Sequence, residues 1–148
     1  MIIQLKDKNT LIVEDFKFKC CVGKKGIKNN KKEGDLSTPR GLYKLGKLYF
    51  RADRNQKPKS KIKTKTIKKS MGWCDDPNSK LYNSEVLINN LIKHEKLFRE
   101  DHTYDFLLVI EFNTEKPVPG KGSAIFIHLT KNYKPTAGCV ALKIKDFL

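Results

Sequence analysis

A chain of 148 residues is long enough to bury one hydrophobic core and too short for two, so a single domain over residues 1–148 is expected. With 39% hydrophobic and 32% charged residues it has a globular rather than a disordered balance, and no stretch approaches the roughly 18–20 apolar residues of a membrane span. Lys and Arg number 31 against 16 Asp and Glu, and the whole excess of +15 falls in residues 1–70, which hold 21 basic and 6 acidic residues. Such a half attracts polyanions in general, although a run of lysines is often no more than a solvated face.

The opening MIIQLKDKNTLIV has no continuous apolar region and no small-residue cleavage site, so it displays no export signal and leaves the location of the protein open. IIQLKDKNTLIVEDFKFKCCVG alternates apolar and polar residues in two runs joined by KDKN, the pattern of a half-buried hairpin. KKGIKNNKKEGDLSTPRG reads as a loop closed by the turn at Pro39 and Gly41, and YKLGKLYF as the strand that follows. In KPKSKIKTKTIKK, lysines alternate with small or apolar residues, which fits an edge strand with a charged outer face. MGWCDDPNSKLYNSE is dense in turn formers yet carries the only Trp, a Cys and two Asp, so it reads as a loop that belongs to a site. Apolar residues at 87, 88, 91, 92, 97 and 98 predict one or two short helical turns. YDFLLVIEFN is too continuously apolar to face solvent and is expected at the centre of a sheet; AIFIHL is a further strand, ending at His128.

Cys20, Cys21, Cys74 and Cys139 show no CxxC pair and no zinc spacing, so reduced thiols are expected, with no metal and no cofactor. His94 and His102 lie in a charged region suited to solvated side chains. His128 ends an apolar strand, and Cys139 follows 11 positions later across LTKNYKPT, so one loop can bring the two together. An imidazole beside a thiol accepts its proton and stabilises the thiolate. Thr136, Ala137 and Gly138 add little bulk before the cysteine, which admits a substrate carbonyl and frees backbone N–H groups for an oxyanion. Spacing alone still favours the plainer reading of a buried thiol and a hydrogen-bonded core histidine.

FIHL followed by PTAGCVAL resembles the signature of the L,D-transpeptidase catalytic domain (YkuD-like) family, in which a strand-end His precedes a Ser/Thr-x-Gly-Cys turn. EGDLSTPRGLYKL resembles the same family's strand entry, and GWCDDPNSKLYN, EKLFREDHTYD and GSAIFIH resemble a compact branch of it. The resemblance runs from about Gly23 to Leu142. It implies a mainly β sandwich with a short helical insert, with Cys139 as nucleophile, His128 as its base and Gly138 in the oxyanion turn. It also implies acyl transfer on peptidoglycan stem peptides: a terminal D-amino acid leaves, a thioacyl enzyme forms, and an amine resolves it into a 3→3 crosslink. Resolution by water would make the enzyme an L,D-carboxypeptidase. Thr136 joins the site; Arg51 is the candidate clamp for a substrate carboxylate, and Trp73, Asp75 and Tyr82 are expected to line the cleft.

Three departures from the pattern stand out. The loop between His128 and Cys139 is short, Ala141 stands where the better-known pattern has Arg, and only 9 residues follow Cys139. A rival reading is a non-catalytic basic module for an anionic polymer. Nucleic acid is not the expected partner, because no helix-turn-helix pattern, RNP-like strand or zinc-finger spacing is present. A monomer is expected.

Overall fold

The computed structural model describes residues 2–148. The alternating N-terminal segment forms β1 (Ile3–Asp7), β2 (Thr10–Val13) and β3 (Phe16–Lys19), an antiparallel meander in that order. The second turn, at Glu14 and Asp15, makes three strands where the alternation alone suggests two; Glu14 adopts a φ of 53° to close it. Two short strands, β4 (Ile27–Lys28) and β5 (Thr38–Pro39), pair in parallel across the polar loop. β6 (Leu45–Phe50) and β7 (Thr64–Thr66) follow, then β8 (Met71–Cys74), β9 (Glu85–Leu87), β10 (His94–Lys96), β11 (Phe106–Ile110), β12 (Phe126–Leu129) and β13 (Val140–Leu142). A single turn of helix, α1 (Ile144–Phe147), ends the chain.

The central layer is a five-stranded sheet in the order β13-β12-β11-β6-β7. β11 is the middle strand, as its uninterrupted apolar run requires, and β7 is an edge that takes in only Lys65 of the lysine run; residues 57–63, expected in that strand, are not part of it. Leu107, Tyr49 and His128 are register partners and share one face; Val109, Phe126 and Cys139 lie on that same face one step along. Leu48, Leu108, Ile127 and Val140 point the other way.

Each face has its own cover. The three-stranded sheet β10-β8-β9 packs Met71, Trp73 and Leu97 against Tyr49, Leu107, Val109, Phe126 and Cys139. Trp73 meets Phe126 edge to face, with ring centroids 5.2 Å apart. On the opposite face the meander delivers Leu11, and the residues after it deliver Cys20 and Val22, against Leu48, Leu108, Ile127, Val140 and Leu142. The fold is mainly β, with sheets stacked and open rather than closed.

Two segments differ from the sequence reading. Met71–Cys74 is the middle strand of the covering sheet, because its four residues are all buried and pair on both sides. The apolar residues over 87–98 are not helical. Leu87 and Leu91 are exposed, the Asn89 side chain accepts the Leu91 N–H at 2.9 Å to make a turn, and His94–Lys96 pairs with β8. The short helical insert expected there is replaced by β9 and β10, and the only helical turn among the described residues is α1.

Candidate functional site

β12 and β13 run in parallel, with Ile127 opposite Val140 and His128 opposite Ala141. Side chains two apart on a strand share a face, so Cys139 and His128 project from neighbouring strands toward the same covering layer. The imidazole Nδ1 lies 2.9 Å from the Leu129 carbonyl. A carbonyl only accepts, so Nδ1 carries the hydrogen and Nε2 keeps its lone pair. Tyr104 packs against the ring at a centroid distance of 5.3 Å. The thiol donates to the Ala124 carbonyl at 3.2 Å and accepts the Phe126 N–H at 3.3 Å.

The turn before Cys139 is braced from two directions. Thr136 Oγ1 donates to the Cys139 carbonyl at 2.6 Å and accepts the Gly138 N–H at 3.1 Å. Thr38 Oγ1 donates to the Gly138 carbonyl at 2.7 Å and accepts the Gly23 N–H at 2.9 Å. Val22 and Lys24 grip Thr136 through backbone hydrogen bonds of 2.9 Å each, and Cys21 exchanges two more with Ala141. A Cβ on Gly138 would stand 2.9 Å from the Ser37 carbonyl oxygen, so only glycine fits where the turn passes that loop.

Burial dominates the electrostatics. It pushes the Cys139 thiol up to about 12, with the Glu95 carboxylate adding to the rise and the Phe126 N–H and Lys31 opposing it. Burial also drives His128 down to about 4, against the pull of the Leu129 hydrogen bond. The resting pair is therefore a neutral thiol and a neutral imidazole. Alkylation of Cys139 by iodoacetamide, followed on its own peptide, is expected to rise about tenfold per pH unit from pH 7 to 9, since only thiolate reacts. A plateau beginning near pH 6 would instead show a preformed thiolate–imidazolium pair.

The same histidine gives a stability signature. Its folded value lies below the ordinary 6.5, so the unfolded chain takes up a proton first as pH falls, and stability is lost from pH 6.5 down to about 4. The loss between pH 7 and pH 4 is about 3 kcal/mol from this group. Burial raises Glu95, which gives a slope of opposite sign, so the test is the difference between the native chain and His128→Gln in urea unfolding across that range. The variant should lack the loss; parallel curves would show that His128 is not held neutral.

A cleft of about 800 Å³ is lined by His128, Thr136, Ala137 and Ala141 together with Asp101, Lys131 and Lys134. Cys139 is 8% exposed and does not line it. Arg51, Trp73, Asp75, Tyr82 and Gly138 are not on its wall, whereas His102 is. The Arg51 fork already holds a carboxylate: Nε and Nη2 donate to the two oxygens of Asp53 at 2.8 and 2.7 Å, Nη1 donates to the Arg99 carbonyl, and the guanidinium stacks 3.4 Å from the Phe98 ring centroid. With its donors committed and 3% exposure, Arg51 organises the loop after β6 and does not clamp a substrate carboxylate. Trp73 donates its indole N–H to Asn83 at 2.9 Å and packs inside the core. The Tyr82 hydroxyl donates to Glu33 and accepts the Gly122 N–H. Asp75 has one buried oxygen without a partner, and its other oxygen is 4.0 Å from Lys93.

Sequence reading missed Asn83, Thr38 and Lys31. Buried Asn83 accepts from Trp73 and from the Ala124 N–H, and donates to the carbonyls of Phe112 and Asn113, so it fixes the carbonyl that holds the thiol. It closes the turn-rich stretch GWCDDPNSKLYN, which is the local signal for it. Lys31, 7% exposed, is tied to Asp35 at 2.7 Å and lies against Gly138; nothing distinguishes it from the other lysines of its loop.

The YkuD family model, described as the L,D-transpeptidase catalytic domain, matches residues 1–148. No curated protein and no solved structure matches the chain.

Proposed function

This chain belongs to the family of L,D-transpeptidase catalytic domains, an enzyme family of peptidoglycan metabolism, and on that premise we propose cysteine-dependent acyl transfer on peptidoglycan stem peptides. The observation that carries this reading is the parallel register of β12 and β13, which sets Cys139 and His128 on one face with Nε2 of the imidazole free.

In the proposed step the Cys139 sulfur leaves its hydrogen bond to Ala124, gives its proton to His128 Nε2 and attacks the carbonyl that joins an L-centre to the terminal D-amino acid. The Gly138 N–H is already donated to Thr136, so the Cys139 N–H is the amide that receives the oxyanion, with Gly138 supplying close approach. Collapse breaks the C–N bond, His128 returns the proton to the leaving amine, and a thioester remains. An amine of a second stem, after losing a proton to His128, displaces the thiol to form the crosslink; water in its place gives hydrolysis. This chemistry asks for no metal and no organic cofactor.

Thr136 holds the turn. Trp73 packs in the core cluster that contains the thiol, Tyr82 ties Glu33 to the Gly122 N–H, and Asp75 keeps one carboxylate oxygen unpaired. Lys131 and Lys134, the cations on the cleft wall with no acidic partner among the described residues, take the carboxylate role left vacant at Ala141. Residues 1–148 act as one catalytic domain and as a monomer. The test is incubation with a purified tetrapeptide stem, with and without a second stem as acceptor, and separation of the products. Release of the D-residue with a crosslinked dimer supports transpeptidation; release with tripeptide alone replaces it by hydrolysis; no release rejects the reading.

A further inference from the structure

The cleft holds a second histidine. His102 lines it together with His128, and 59% of the His102 side chain is exposed. It stands in the turn 101–105, which is fixed to the end of β12: the Thr103 carbonyl accepts the Leu129 N–H at 3.0 Å, and Tyr104 packs on the His128 ring. Arg54 pins the same turn by donating to the carbonyls of Glu100 and Asp101 and, at 3.0 Å, to Asp105 Oδ1. Asp105 is 4% exposed, and its other oxygen, Oδ2, lies 2.7 Å from His102 Nδ1. A carboxylate accepts, so Nδ1 carries the hydrogen and Nε2 keeps its lone pair. The other charges nearby are Asp101, held by Arg99, and Lys131 and Lys134 on the cleft wall. One cleft therefore presents two imidazoles in the same tautomer, one buried on the face that carries the thiol and one open to solvent.

We propose that His102 is the base that takes the first proton from the incoming amine, with Asp105 as its positioning residue, a role that rests on the acyl-transfer reading and completes its second half. An alkylamine, with an ordinary pKa of about 10.4, is an ammonium at pH 7 and has no lone pair for attack. Two protons must leave it before the amide is made. The first goes to His102 Nε2, and the exposed ring passes it to solvent. The freed lone pair then forms the C–N bond at the thioester carbonyl, the second proton goes to His128, and His128 returns it to sulfur as the C–S bond breaks. Water already has its lone pair and has one proton to lose, which His128 takes, so hydrolysis makes no use of His102. His102 thereby sets whether the thioester ends as a crosslink or as tripeptide.

The test sets the native chain and His102→Gln on a purified tetrapeptide stem, with either a second stem or hydroxylamine as acceptor. The quantity read is the ratio of aminolysis product to hydrolysed tripeptide. Glutamine keeps a donor for Asp105 and loses the base. With the stem as acceptor the ratio should fall about 10²-fold at pH 7 in the variant, the scale on which a general base acts, and the gap should narrow as pH rises to 9 and free amine becomes available from solution. Hydroxylamine is neutral at pH 7 and arrives with its lone pair free, so its ratio should match in the two proteins. An unchanged ratio with both acceptors, even at lower turnover, would make His102 structural and overturn its role while acyl transfer stands. An equal fall with both would also overturn it, since the loss would not follow the acceptor's proton. A native chain that releases the D-residue but forms no crosslinked dimer would overturn this role together with transpeptidation, and one that releases none would reject acyl transfer itself.

Discussion

Cys139→Ala is expected to lower release of the terminal D-amino acid by about 10⁴-fold, the scale on which loss of a covalent nucleophile acts, while the protein stays folded. The side chain removed is small, and its two hydrogen bonds, to the Ala124 carbonyl and from the Phe126 N–H, are modest, so thermal unfolding should shift by only a few degrees. Cys139→Ser keeps a hydroxyl that can hold the Ala124 carbonyl, and should recover stability without recovering activity. No other thiol can substitute: Cys20 packs on the opposite face of the sheet and Cys74 belongs to the covering sheet; Cys21 bridges to Ala141, the register partner of His128, but its thiol is committed to the Lys134 carbonyl at 3.2 Å. A variant that retained a tenth of native activity would place the nucleophile elsewhere.

Gly23→Ala is expected to cost about 3 kcal/mol and to lower the unfolding midpoint by about 5–10 °C. A Cβ there would stand 2.6 Å from the Leu36 carbonyl oxygen and 2.9 Å from both the carbonyl carbon and Cα of Ser37. All three are backbone atoms, so no side chain can swing away. The loop that must move carries Thr38, whose hydroxyl joins the Gly23 N–H to the Gly138 carbonyl. The substitution therefore loosens the nucleophile turn as well as the fold, and kcat should fall with stability. Thr38→Val separates the two effects, because it removes the bridge and keeps the shape; a fall in kcat at near-native stability is expected. Unchanged kcat in Thr38→Val would show that the turn does not depend on its brace.

The parts of this site that are contiguous in the chain were readable from it. FIHL alternates into a strand that ends on His128, and PTAGCVAL packs its small residues at the turn where the cysteine needs access. The parallel register that puts both side chains on one face was not readable, because pairing partners are set by packing of the whole sheet. Thr38 and Gly138 are 100 positions apart, and no local pattern signals a hydrogen bond over that separation. Arg51 is the opposite case: its carboxylate partner lies only two residues away in RADR, a pairing within reach of the local sequence. Over 87–98 the apolar spacing resembled a helix, yet Leu87 and Leu91 are exposed and Leu97 reaches the core from the end of a strand, so the period did not mark one buried helical face. Gly23 ends the segment whose alternation reads as a hairpin, and only the approach of Leu36 and Ser37 reveals its steric role.

The central claim is that Cys139 carries the acyl group, and it is tested most directly by intact-protein mass spectrometry after brief mixing with a purified tetrapeptide stem. The expected spectrum shows an added mass equal to the stem minus the free D-amino acid that leaves, mapped to the peptide containing Cys139, and absent from Cys139→Ala. His128→Ala should form the adduct about 10²–10⁴-fold more slowly, as loss of a general base requires. Release of the D-residue by the native chain with no adduct, and with Cys139→Ala equally active, would contradict the account.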